Sequence, residues 1–199
     1  MSYADVPAGK IAAVVTSLQM FQRPAPRAER NDLGLELARV PRPELSWFRD
    51  LFRNVGENWI WFSRLAMTDA ALAAIIHDPR VEVYVLKSGA TEAGLLELDL
   101  RIADECELSF FGLAQPFIGT GAGRFLMNRA LELAWSRPIA RLWVHTCTFD
   151  HPGALAFYLR SGFRPFRLQI EVADDPRLTG LAPRSAAPHV ALIEPTRRA

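Results

Sequence analysis

Only two cysteines, Cys106 and Cys147, occur among the 199 residues, too few for a disulfide framework and without metal-ligand spacing. A reducing, cytoplasmic setting is the simpler expectation. No apolar run approaches the roughly 20 residues that a membrane-spanning helix needs. The one early apolar stretch, residues 11–15, is too short and too weakly flanked for a signal peptide, so no membrane partner is expected. Neither sign of charge prevails, because 23 basic residues face 22 acidic ones. Bulk charge therefore offers no way of holding a nucleic acid, and none is expected as a partner. Low hydrophobicity is missing as well: half of the residues are hydrophobic, which excludes a disordered chain. A chain of this length buries about 70% of the surface it exposes when unfolded, and one domain spanning residues 1–199 is expected.

Apolar periodicity supplies the elements. Residues 11–20 and 33–40 read as strands, with a proline-broken loop between them. Residues 43–54 carry Leu45, Phe48, Leu51 and Phe52 on one helical face, with Gly56 as the stop. An aromatic loop holding Trp59, Trp61 and Phe62 follows, then a short helix capped at Thr68 or Asp69. Residues 81–86, 94–100 and 105–113 form a three-stranded meander. In its third strand, alternation places Glu107, Ser109, Phe111 and Leu113 on one face and Leu108, Phe110 and Gly112 on the other. Residues 124–135 are a helix, 141–148 a strand, 152–161 a helix closed by Gly162, and 163–172 a last strand. From residue 174 the chain is rich in proline and turn residues and reads as a packed tail, 174–199. Meander strands leading into a β-α-β-α-β run predict an α/β fold whose mixed, mostly antiparallel sheet is flanked by helices on both faces.

Two motifs carry chemistry. The first is Gly119-Thr120-Gly121-Ala122-Gly123 opening a helix, where glycine lets backbone N–H groups approach an anion and the helix end adds about half a positive charge. Arg124-Phe125 stands where a P-loop needs Lys-Ser/Thr, and the spacing does not fit a dinucleotide-binding fingerprint. The second runs from Asp150-His151-Pro152-Gly153 to Tyr158 and Ser161-Gly162-Phe163. Together, GLAQPFIGTGAGRFLM and RLWVHTCTFDHPGALAFYLRSGF resemble the acetyl-CoA-binding core of the GNAT N-acetyltransferase superfamily, over about residues 81–164.

The resemblance implies a single GNAT-like acetyltransferase domain that uses acetyl-CoA as co-substrate, with a small-molecule amine or a peptide as acceptor. The pyrophosphate would rest on the N–H groups of residues 119–123, with Arg124 offsetting Ile118, which stands where the family has Arg or Gln. The pantetheine arm would pair with the strand edge at Phe111, Gly112 and Leu113, and the Leu113 N–H would face the thioester carbonyl. Tyr158 would be the acid for the leaving thiolate and would also touch the cofactor. Asp150 stands where many members have asparagine. Glu107 is the candidate base, with Glu105 and Glu97 as rivals.

Trp59, Trp61, Phe62 and His151 are the candidate acceptor contacts, since aromatic faces attract both apolar groups and cations. His145 is expected to have no catalytic role and Cys147 to be a small buried hydrophobe. No third ligand accompanies the histidines, so no metal is expected. A non-catalytic acyl-CoA-binding or regulatory module with the same fold is the alternative. The strand at residues 11–20 and the tail are the candidate contacts for a homodimer.

Overall fold

Capping and apolar stripes set the helix boundaries. In the computed structural model, which describes residues 1, 3–30 and 34–195, α1 (Leu45–Gly56) buries Phe48, Leu51, Phe52 and Val55 along one side. It runs through Gly56 instead of stopping there, because a 3-10 turn at Glu57–Trp59 continues it. Ile60 then turns the chain with φ +54°, a left-handed conformation that a β-branched residue seldom adopts. The short helix α2 (Asp69–Ile76) is capped as expected: the Thr68 hydroxyl accepts from the Ala71 N–H at 3.3 Å.

The remaining elements are β1 (Lys10–Met20), β2 (Leu35–Arg39), β3 (Val81–Ser88), β4 (Thr91–Asp99), β5 (Glu105–Leu113), α3 (Ala122–Trp135), β6 (Arg141–Cys147), α4 (Ala154–Arg160) and β7 (Arg164–Asp174). The expected strand start at residue 33 and the last tail residues, 196–199, lie outside the described residues. Among the described residues the strands form one mixed, mostly antiparallel sheet in the order β2-β3-β4-β5-β6-β1-β7, with only β5 and β6 parallel. The α/β class read from the element pattern is the one observed. On one face, α1 and α2 pack over Val83, Val85, Leu95 and Phe110. On the other, α3 and α4 pack over Leu18, Leu96, Leu98, Leu108, Leu142 and Val144.

Two features depart from the linear reading. The N-terminal strand β1 is inserted between the last two strands, residues 15–20 pairing with β6 and residues 10–19 with β7. In β5 the register slips, with Leu98 opposite Leu108 and Glu97 opposite Phe110, which leaves Ser109 as a bulge. The extra residue reverses the expected alternation. Phe111 and Leu113 turn toward α3 with Leu108, while Phe110 packs toward α1. The tail is pinned by a buried pair, Arg177 with Asp175 at 2.7 Å, and Arg177 also donates to the Val190 carbonyl at 2.8 Å. It closes over Ile11, Ile60 and Phe62 through Ala187 and Val190. No helix among the described residues is long and apolar enough to cross a membrane.

Candidate active site

The ladder between β5 and β6 covers Glu105 with Arg141, Cys106 with Leu142 and Glu107 with Trp143. Beyond Glu107 the two strands part. The opening is a cleft of about 810 Å³ lined by residues 107–113 of β5, by Val144, His145 and Cys147 of β6, by the starts of α3 and α4, and by the loop at residues 59–64.

The start of α3 forms one end of this cleft. Gly119 and Gly121 have φ of +80° and +104°, conformations open to glycine, and no side chain caps Gly121. Ile118, Gly119, Gly121, Gly123 and Arg124 line the cleft. Ala122 points instead into the α3 core, and the Thr120 hydroxyl is engaged locally, donating to the Phe117 carbonyl at 2.8 Å and accepting from the Ala122 N–H at 3.3 Å. The Arg124 guanidinium donates to the Ala28 carbonyl at 3.0 Å, and Arg27 and Arg160 join it on the cleft wall. A helix N-terminus and the guanidiniums of Arg27, Arg124 and Arg160 along one cleft make it attractive to an anion.

Tyr158 lies in the cleft wall with its ring among Phe111, Phe157 and Phe163, at centroid distances of 6.2, 5.8 and 5.8 Å. Burial, helped by the charge of Asp150, pushes its phenol well above the ordinary value near 10, so it is a proton donor throughout the neutral range.

The far end of the cleft is acidic and aromatic. Glu107 lies 3.5 Å from His145 Nδ1, and this contact holds the imidazole above its ordinary pKa against the opposing effect of burial. Glu171 from β7 also lines the cleft. The rival Glu97 is wholly buried and paired with Arg64; burial pushes its carboxyl up while Arg64 pulls it down. Glu105 is held by Arg141 at 2.7 Å. Trp59 stands edge-on to His151, 5.2 Å between centroids, and 5.9 Å from His189 of the tail. His151 Nδ1 accepts from the Gly153 N–H at 2.9 Å. Trp61 packs on Phe52 and Phe110 and donates its indole N–H to Asp150 at 3.1 Å. Phe62 lies against the tail and lines the cleft.

The cleft thus brings together Glu107, Phe111, Gly112, Leu113, Ile118, the three loop glycines, Arg124, Asp150, His151, Tyr158 and the aromatic loop, and leaves Thr120 and Ala122 behind it. Sequence reasoning assigned nothing to Arg27, Arg64, Arg160 or Glu171, and it offered Glu97 only as a rival base, whereas the structure buries it against Arg64. Arg160 sits within the α4 motif, two residues after Tyr158, where it was legible. Arg27 comes from the proline-broken loop, and nothing local signals its destination. Among the described residues no cluster of three or more His, Cys, Asp or Glu is arranged to hold a metal ion.

The model of the acetyltransferase (GNAT) family matches residues 45–163. Among solved structures, the GCN5-related N-acetyltransferase from Sphaerobacter thermophilus superposes with a TM-score of 0.60 at 15% identity, over 82% of this chain and 52% of that one. A tandem GNAT protein from the clavulanic acid biosynthesis pathway gives 0.57 at 14% identity, over 86% and 55%. An acetyltransferase from Thermus thermophilus gives 0.52 at 23% identity, over 71% and 97%. At these identities the likeness is one of fold, and this chain spans about half the length of the first two proteins. No curated protein matches the sequence.

Proposed function

The chain belongs to the acetyltransferase (GNAT) family, and from that premise we propose that it transfers an acetyl group from acetyl-CoA to a primary amine by direct attack in a ternary complex. The observation that carries the reading is the parting of β5 and β6 after Glu107. It leaves the edge of residues 109–113 open toward a cleft that also holds the α3 N-terminus and Tyr158.

In this reading the backbone N–H groups of residues 119–123, with Arg27, Arg124 and Arg160, hold the pyrophosphate end of acetyl-CoA. The open edge at Phe111, Gly112 and Leu113 pairs with its amide arm. The Leu113 N–H stabilises the carbonyl oxygen as the amine nitrogen bonds to the carbonyl carbon. As the carbon–sulfur bond breaks, Tyr158 gives its proton to the departing thiolate. Glu107, with His145 behind it, takes the proton that the attacking nitrogen sheds, through a water. The acceptor end suits a cationic amine, small molecule or peptide, because Glu107 and Glu171 face a cavity walled by Trp59 and Phe62.

Calorimetry with acetyl-CoA, and with NAD and ATP as controls, tests the cradle; thiol release over a panel of amines tests the chemistry. The expected result is acetyl-CoA binding alone, with turnover that falls about 100-fold or more in Tyr158→Phe while binding persists. A folded protein that ignores acetyl-CoA overturns the cradle. Binding without thiol release from any amine leaves a non-catalytic acyl-CoA-binding module in its place.

A further inference from the structure

Among the described residues the outermost strand of the sheet, β7, presents a long unpaired edge and an uncovered apolar stripe. Leu168 is 70% exposed, Ile170 74%, Val172 52% and Phe166 42%, and Val14 beside them on β1 is also exposed. Such an edge is a template for another strand, and proteins normally blunt or cover it. The direction of its backbone groups follows from β1. The Val14 carbonyl accepts from the Thr148 N–H at 3.1 Å, and the Val14 N–H donates to the Thr148 hydroxyl at 3.2 Å, so both groups of Val14 face β6. Val15 therefore faces β7, where its partner is Gln169. The N–H and C=O groups of Leu168 and Ile170 point to the open edge.

We propose that this edge pairs with β7 of a second copy of the chain, antiparallel about a two-fold axis at Gln169. Charge complementarity selects both the partner and the register. Pairing about Gln169 sets Leu168 opposite Ile170 of the second copy, as a hydrogen-bonded pair whose groups are the outward-pointing ones. It sets Arg167 opposite Glu171, and Phe166 opposite Val172. The ladder with β1 is irregular at Phe166, which no β1 residue opposes; past it lies Arg164, opposite in sign to Asp174 of the second copy, a carboxylate that Lys10 also holds at 2.7 Å. Sliding by one residue in either direction about the axis, the nearest registers that keep the outward groups matched, sets Arg167 against Gln169 or Ala173 and loses both ion pairs. A strand that reads apolar-to-apolar and basic-to-acidic against its own reverse is the requirement for an isologous contact. Because Glu171 lines the cleft, the second copy's Arg167 would stand at the rim of the candidate site.

Sedimentation equilibrium across micromolar to hundred-micromolar protein tests this, with circular dichroism to verify that each variant is folded. The wild-type chain is expected to dimerise. Arg167→Glu and Glu171→Arg should each weaken the dimer about tenfold or more, since the two-fold repeats each like-charge contact twice. The double exchange, Arg167→Glu with Glu171→Arg, should restore it. A wild-type monomer at every concentration overturns the proposal. So does a dimer indifferent to the single reversals, which would use another surface, or a double exchange that fails to rescue.

Discussion

The indole N–H of Trp61 donates to Asp150 at 3.1 Å across 89 residues of sequence, and the second oxygen of the same carboxylate accepts from the Thr146 hydroxyl at 2.7 Å and the Cys147 N–H at 2.9 Å. One anion thereby fastens the aromatic loop to the end of β6 and the approach to α4. Its charge is directed at three donors. Asp150→Ala leaves the indole and the Cys147 N–H without an acceptor, and unfolding free energy should fall by about 1–3 kcal/mol in urea titrations. In the assay proposed above, the acceptor KM should rise more than that for acetyl-CoA. An unchanged unfolding midpoint would show that the three bonds hold nothing in place.

Gly112 is where the aromatic loop presses on the sheet. A methyl group at this position would lie 2.5 Å from Val55 Cγ1 and 2.8 Å from the Trp61 ring, contacts that require Trp61 to move. Gly112→Ala should cost about 1–3 kcal/mol by overpacking and blue- or red-shift the tryptophan emission as Trp61 leaves its niche. A variant with wild-type stability and emission would mean that the loop yields freely.

Much of this was legible beforehand, for physical reasons that differ by element. β5 was read to its end residues, because turn residues bound it on both sides, and the Thr68 cap was read because a hydroxyl before an apolar stripe is a local signal. The two glycine-flanked motifs did converge on one cleft. What local pattern could not carry was pairing at long range: nothing within residues 10–20 says that they will lie between β6 and β7. Nor does alternation reveal that Ser109 bulges, a single residue that turns Phe111 and Leu113 to the opposite face. The Arg64–Glu97 pair was hidden for a similar reason: Glu97 reads as a rival base, and nothing local says that Arg64, 33 residues earlier, will be its buried partner.

That pair makes a sharp prediction. Arg64 and Glu97 are both buried, and Arg64 also lies 5.0 Å over the Phe110 ring. Arg64→Met leaves an uncompensated buried carboxylate and should destabilise the protein by about 3–5 kcal/mol at neutral pH. With the pull of Arg64 gone, burial, joined by the charges of Asp99 and Glu107, acts unopposed on Glu97 and raises its folded-state pKa further above 4.5. The folded protein then binds a proton that the unfolded chain has released, so the deficit should shrink as pH falls through the raised value. Urea midpoints of both proteins across that range check it; a deficit that grows on acidification contradicts the assignment.

The last prediction concerns the Glu107–His145 contact. Hydrogen bonding to Glu107 raises the His145 pKa above 6.5, and burial works the other way. A raised histidine stabilises the fold fully below its unfolded pKa and loses that contribution as pH rises through the folded value. Glu107→Gln removes the anion but leaves the burial, so His145 should then titrate at lower pH than in the wild type, and the stability it adds in mildly acidic solution should vanish. Imidazole resonances followed by NMR across the neutral range, assigned by residue, read the His145 titration directly. If His145 titrates alike in both proteins, Glu107 does not govern its proton, and the pairing of the two as the route for the amine's proton falls with it.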